Sequence, residues 1–429
     1  GWVIALGGGL PQEFYIPEGF SFLILWGLPH LALARAALLG ALLLILQMAL
    51  KADERRPQGT GKDIHHRATE KHGGFVHGNA SILNASFESI SKAPSPLQWG
   101  GGLGVGTAFR PFFAALFLLV VGLCVPFYLV IVYIILGVWG LASWIALRRF
   151  PWSLARAAIL AALPTLPLFG YYALVFSRNP AFAQWSAQNL LPSPQPLLYL
   201  LAYVLLLIPA GFALRAFWAR RDLAAALIIG WPLVVPVLVY LPLNVQRRLA
   251  EAVIVPLAIL AAIGLERWGR RIRPAWLLLA SFSSAFLLFG GFMVALNPRP
   301  PLFRPAAEIA TLSWLHANAA PDSVVLSSFE TGNVLPAYSD LRPFVGHGPE
   351  TLFALDKTAT VERFFSGAMT TEERAALYAA FGIDYILYGR FERALSATPD
   401  APAWVVDGEL IYDQDGYQVY LLTSRNGIR

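Results

Sequence analysis

Along the first 298 residues, long apolar runs alternate with short polar connections. A helix needs roughly 20 apolar residues to cross ~30 Å of hydrocarbon. Stretches of that kind fall at 21–50, 109–125, 127–147, 154–176, 197–217, 223–241, 249–265 and 275–296. Taken as one helix, 109–147 would run ~58 Å, too long for a bilayer even when tilted. Pro126 supplies a turn that divides it in two, which brings the expectation to about eight transmembrane helices. Beyond residue 298 the pattern becomes that of a small α/β domain. It predicts a helix over 305–318, a strand over 324–327 and a helix over 371–381 that opens on acidic residues, as a helix N-terminus prefers. A strand over 385–388 and a hairpin over 408–422, turning at 414–416, complete it.

Composition narrows the class. Apolar residues make up 57% of the chain and charged residues 14%, against roughly 25% charged in soluble domains. Mean hydropathy is +0.57. A wholly water-soluble chain and an intrinsically disordered one are both excluded. The single cysteine, Cys124, excludes an intrachain disulfide framework and a cysteine-based zinc site.

Charge then orients the spans. Residues 1–298 carry 22 Lys+Arg against 10 Asp+Glu, whereas residues 299–429 carry 10 against 16. With an outside start and eight spans, eighteen Lys/Arg share the loops of one side, and only Arg178, Arg247 and Arg248 lie in the loops of the other. Basic loops stay cytoplasmic, so the acidic tail is expected outside. The fold class is therefore an all-α polytopic membrane domain (1–298) followed by a small extracytoplasmic α/β domain (299–429). Residues 51–106, polar and then Ser- and Gly-rich, read as a cytoplasmic linker or insertion.

Few motifs carry chemistry. The segment Gly59-Thr60-Gly61-Lys62-Asp63 lacks the first glycine and the Ser/Thr of a phosphate loop, and the glycine run at 100–106 lacks dinucleotide spacing. His65, His66, His72 and His77 sit with Asp63 and Glu70 in the insertion, where nothing supplies the rigid second shell of a metal site, so no metal ligands are assigned. The sequons at Asn79 and Asn84 fall on the expected cytoplasmic side and are read as chance matches.

Arg247 and Arg248 are more informative, because they break the charge bias on the outer side. Glu251 follows three and four residues later, which on a helix gives an interfacial salt bridge with snorkelling arginines. The functional reading is a clamp for an anionic lipid headgroup, since a guanidinium fork matches phosphate oxygens, with Gln246 as a neutral donor. His30 and Arg35 in the first span either line a cavity or, where Pro29 breaks an interfacial helix, leave His30 at the surface. Glu13 and Glu18 precede that span and offer carboxylates. Trp185, Gln188 and Asn189 provide stacking and hydrogen bonding in an outer loop or form part of an aromatic belt. In the tail, the Gly-rich stretch Phe344-Val345-Gly346-His347-Gly348-Pro349-Glu350-Thr351 reads as a turn.

The segment GGGLPQEFYIPEGFSFLILWGLPHLALAR (residues 7–35) resembles a central part of GT-C-type polytopic bacterial glycosyltransferases, the group that includes protein mannosyltransferase-like and aminoarabinose transferase-like enzymes. Residues 179–203, residues 240–268 and the tail's VGHGPET and IDYILYGRFE are similar to the same bacterial membrane proteins, and the likeness spans most of the chain outside 51–106. It is one of general texture and includes no diagnostic catalytic motif. The resemblance implies an enzyme of the bacterial cytoplasmic membrane that takes a sugar from a polyprenyl-phosphate carrier on the extracytoplasmic side. It also implies a catalytic carboxylate in a first outer loop; the chain is expected to begin after that loop, leaving Glu13 as a stand-in. The lipid-phosphate end carries over to Arg247 and Arg248.

The expectation is thus glycosyl transfer to an extracytoplasmic acceptor. The partners are the lipid bilayer, the lipid-linked sugar donor and the acceptor, with no nucleic acid. No cofactor is assigned and a divalent metal is left open. His30, Arg35, Glu251 and Trp185 are assigned to support the cavity. A lipid or sugar transporter would use the same arginines, and a non-catalytic scaffold with an outer binding domain would need none of them.

Overall fold

The computed structural model describes residues 29–54, 109–300 and 303–422. Among the described residues ten helices precede the tail: α1 (Pro29–Glu54), α2 (Arg110–Cys124), α3 (Tyr128–Leu147), α4 (Trp152–Ala162), α5 (Leu166–Arg178), α6 (Pro180–Gln188), α7 (Pro196–Arg220), α8 (Leu223–Leu238), α9 (Ile254–Leu265) and α10 (Ile272–Leu296). The fold has two compact units. The first holds the described residues up to Val175 and those from Leu191 to Phe286; the second joins Phe176–Leu190 to the chain from Leu287 onward. The division therefore runs through α10 rather than after it, and α6 belongs with the tail.

Within the first unit, α1 packs on α2 and α4, α3 on α8, and α7 on α9. Ala34, Ala41, Ala114 and Ala161 are fully buried in this packing; small residues of this kind let apolar helices approach closely where no hydrophobic drive separates lipid from protein. The turn expected at Pro126 lies between Cys124 and Tyr128. A 3₁₀ turn at Leu163–Thr165 breaks α4 from α5. The Thr165 hydroxyl donates to the Ala162 carbonyl and meets the Tyr133 hydroxyl at 2.8 Å, which keeps the break satisfied.

The crossing of α7 and α9 has a specific cause. Pro209 has no N–H for the Leu205 carbonyl one turn earlier, and the Trp276 indole of α10 donates to that carbonyl at 2.8 Å. A helix break in hydrocarbon requires such a replacement donor. Gly264 of α9 lies against the same turn: a Cβ there would stand 1.7 Å from the Pro209 carbonyl oxygen.

Among the described residues four segments have the length and apolarity to cross a membrane: His30–Asp53, Tyr128–Leu147, Trp152–Arg178 across its break, and Pro196–Arg220. The α10 pair Ile272–Phe282 and Ser284–Leu296, bent by 40°, makes a fifth if it counts as one span. Helices α2, α8 and α9 are apolar but have only 15, 16 and 12 residues. Of the eight or so spans expected, helix length among the described residues thus supports four or five. The shortfall is clearest at 249–265, where a 3₁₀ turn takes up the first residues and α9 starts only at Ile254.

The second unit contains a five-stranded sheet ordered β2–β1–β3–β5–β4, built from β1 (Val324–Leu326), β2 (Arg342–Pro343), β3 (Ile383–Tyr388), β4 (Gly408–Gln414) and β5 (Tyr417–Leu422). β2, β1 and β3 run parallel; β5 and β4 are antiparallel. Helices α11 (Ala306–Asn318), α12 (Ala354–Phe365), α13 (Thr371–Phe381) and α14 (Arg390–Leu395) accompany it. Parallel strands need apolar cover on both faces, and two separate buried clusters provide it. Phe364, Phe365, Tyr388 and Trp404 belong to one, and Leu312, Leu315, Val325 and Val419 to the other. The helices and strands expected at 305–318, 324–327, 371–381, 385–388 and 408–422 all form, within a residue or two.

Helix α6 is tied to the tail by Gln188. Its amide nitrogen donates to the Thr351 carbonyl at 2.6 Å, and its oxygen accepts from the Phe353 N–H at 2.9 Å. Residues 188 and 351 must therefore lie on the same side of any membrane, so the chain between them crosses an even number of times.

Candidate functional site

Between α7, α8 and α9 of the first unit lies an apolar groove of about 420 Å³. Its lining runs on α7 from Pro196 to Leu214, about 27 Å at the helical rise and close to the ~30 Å of a bilayer's hydrocarbon. Pro196 and Tyr199 at the start of α7, Tyr240 just past α8 and Val253 just before α9 line one end. The rings of Tyr199 and Tyr240 meet edge to face there, 6.2 Å apart.

The same end carries the connection from α8 to α9. Tyr240 donates to the Pro194 carbonyl at 2.6 Å, and the Tyr199 and Ser193 hydroxyls lie 3.1 Å apart. Gln246, expected as a neutral donor to a ligand, is committed to the backbone instead: its oxygen accepts from the Ser193 N–H and its nitrogen donates to the Leu241 carbonyl. The Arg247 N–H reaches the Leu191 carbonyl at 3.3 Å. These bonds fix the turn against the chain entering α7.

The helix expected through Arg247 and Glu251 does not form. Gln246–Ala250 is a 3₁₀ turn, Glu251 follows it with φ of −47° and ψ of 127°, and Ala252 has φ of 53°. Glu251, with no solvent exposure, accepts from Arg35 Nε at 2.6 Å and from the Tyr128 hydroxyl at 2.5 Å. Arg35 of α1 is itself buried. The Arg248 guanidinium stands 5.6 Å from the centre of the Phe127 ring, which packs edge to face on Tyr128. A cation over an aromatic face is attracted by the ring's quadrupole. Arg247 and Arg248 are both half-buried, and among the described residues the Arg247 side chain has no ion-pair partner.

The other expected residues are dispersed. His30 lies in the first turn of α1 and is exposed, as when Pro29 starts the helix; it does not line the groove. Trp185 belongs to the second unit, half-buried with its ring 5.8 Å from Phe176. Glu13, Glu18, the four histidines of the insertion and both sequons lie outside the described residues. Among the described residues no three His, Cys, Asp or Glu side chains gather to hold a metal. Tyr128, Tyr199, Tyr240 and Ser193 were not singled out in the sequence. The only local signal is the presence of hydroxyl-bearing residues beside proline at the ends of apolar runs.

Comparison with protein families and with curated protein sequences gives no match.

Proposed function

We propose that this protein is a multi-pass membrane glycosyltransferase that binds a polyprenyl-phosphate sugar, with the isoprenoid tail in the α7–α8–α9 groove and the phosphate at the Arg247/Arg248 turn. The observation that carries this reading is the meeting of the two features: the apolar groove ends at the residues that fix the turn. An apolar slot of bilayer length whose end adjoins an arginine-bearing turn suits an amphiphile with an anionic head. The transferase chemistry itself comes from the resemblance to GT-C-type enzymes.

In the proposed reaction an acceptor hydroxyl attacks the anomeric carbon, a carboxylate takes its proton, and the bond from that carbon to the phosphate oxygen breaks. The electron pair leaves on the polyprenyl phosphate, where Arg247 and Arg248 meet the growing charge. Glu251 is not offered as that base, since Arg35 and Tyr128 hold it buried. Glu13 remains the candidate.

The proposed topology has eight spans in a bacterial cytoplasmic membrane, with the turn, α6 and the tail outside. The Gln188 bonds support the shared side of α6 and the tail, because four helices, an even number, separate them.

The test is binding of a short-chain polyprenyl-phosphate sugar to purified protein, wild type against Arg247→Gln and the Arg247→Gln/Arg248→Gln pair. Loss of binding in the pair, with a partial loss for Arg247→Gln, is the expected result. Unchanged binding overturns the clamp.

A further inference from the structure

The second unit exposes apolar side chains in one neighbourhood. Leu355 is 88% exposed and Phe353 52%, two residues apart at the start of α12, while Phe182 and Leu190 on either side of Gln188 are 45% and 61% exposed. Single exposed apolar residues are ordinary on protein surfaces. What sets these apart is where the chain holds them.

Gln188 bonds to Thr351 and Phe353 from the last residue of α6. Helix α6 follows directly on α5, the end of a segment long and apolar enough to cross a membrane. It folds back on that end through Phe182 and Trp185, whose rings lie 5.4 and 5.8 Å from Phe176. The nine residues of α6 span about 14 Å, so the Thr351–Phe353 backbone is held within about that distance of the end of α5. The headgroup region on each face of a bilayer is roughly 5–8 Å deep, so the reach of α6 extends across it.

Phe353 also takes a left-handed backbone conformation, φ 58°, which a bulky residue adopts only where its surroundings enforce it. Here Gln188 accepts from its N–H. The charged neighbours Glu350 and Asp356 are exposed, and Lys357 is half-buried over the rings of Phe344 and Phe381. Apolar tips flanked by water-facing charges suit the boundary between headgroups and acyl chains.

We infer that Phe353 and Leu355 insert into the surface of the same membrane that α5 crosses, so that the tail is seated on lipid through this loop. The inference rests on the membrane reading above, but not on the proposed lipid substrate. It is a contact with bulk lipid, distinct from the groove.

The test uses full-length protein with Cys124→Ser, reconstituted in phosphatidylcholine/phosphatidylglycerol vesicles. A single environment-sensitive fluorophore is placed at Leu355→Cys, at Leu141→Cys on the exposed side of α3 as a lipid reference, or at Asp415→Cys in the hairpin turn as a water reference. The expected result is that the 355 probe is quenched by lipids spin-labelled near the headgroup and shielded from aqueous iodide, as at 141 and unlike 415. Gln188→Leu, which removes both bonds, is expected to reduce lipid quenching at 355 while leaving 141 unchanged. A 355 probe that behaves like 415 while 141 is quenched by lipid overturns the inference alone. If 141 is not quenched either, the membrane reading fails and takes the inference with it.

Discussion

Arg35 and Glu251 are 216 positions apart in the chain, yet their side chains meet at 2.6 Å inside the first unit, with side-chain exposures of 6% and 0%. The pair fixes α1 to the segment between the arginine turn and α9, and Tyr128 brings α3 to the same carboxylate.

Removing one partner of a buried ion pair leaves a charge without compensation and costs about 3–5 kcal/mol. Arg35→Met is therefore expected to lower the thermal midpoint of the purified protein sharply. Arg35→Met with Glu251→Leu removes both charges and is expected to recover most of the loss. A double variant no more stable than Arg35→Met would show that the pair is not what holds these segments together.

Gly264→Ala tests the crossing of α7 and α9. The added methyl would stand 1.7 Å from a backbone oxygen, which cannot move aside as a side-chain tip can. Overpacking of this kind costs about 1–3 kcal/mol or more. Gly290→Ala, in α10 with open space at its Cβ, is the matched control. Equal yields and melting of the two variants in detergent would mean that the helices do not approach at Gly264.

Trp276→Phe keeps the ring but removes the donor to the Leu205 carbonyl. A lost hydrogen bond of this kind costs about 0.5–1.5 kcal/mol, more if the carbonyl finds no other partner. The effect is expected to disappear when Pro209→Ala restores the helical N–H. Thermal melts of the four combinations give the coupling directly.

In the tail, two carboxylates respond to pH in opposite senses. Burial pushes Glu308 above the ordinary 4.5, against the pull of Arg304. As pH rises through 4.5, the unfolded chain releases this proton before the folded tail does, so Glu308 lowers stability progressively over that window. Glu373 is held below its ordinary value first by the Thr370 N–H and then by Arg363, so its contribution is present above 4.5 and is lost as pH falls through its lowered value. Glu308→Gln is expected to protect tail amides relative to wild type, by a margin that grows as pH rises above 4.5. Hydrogen exchange of both proteins at matched pH measures it, and a margin constant with pH would refute the assignment.

Thr370 and Glu373 form a capping box at the start of α13, each side chain meeting the other's backbone N–H. Thr370→Ala is expected to cost about 1 kcal/mol, seen as faster exchange confined to the first turns of α13. Thr370→Ser should restore protection.

Legibility in the sequence followed the range of the interactions. α13 and the β4–β5 hairpin were readable because acidic residues at a helix start and a short Asp-Gly turn act within a few positions. The buried residues Val361, Phe364 and Phe365 show helical spacing for α12, but the Gly-rich stretch before it, with His347 and Phe353 in left-handed conformations, led to a turn alone. The arginine turn was readable as an exception to the charge bias, whereas its geometry was not. Glu251 is matched with Arg35 across α1, a pairing that no local spacing encodes. Gln188 is likewise resolved only when the loop at 351–353 is folded beside it. The groove arises from three helices together and has no trace in any one of them.

The second unit is discontinuous, and that imposes an order of events during synthesis. Gln188 is made 163 residues before Thr351. At about 5–20 residues per second, α6 waits roughly 8–30 s for its partners. During that interval the chain must place α7, α8, α9 and α10 while α6 and its exposed Phe182 have no tail to pack on. A tail produced by itself would meet the converse problem, folding its sheet with the Thr351 carbonyl and the Phe353 amide unclaimed. The domain that follows the membrane segments is completed by a piece released long before it.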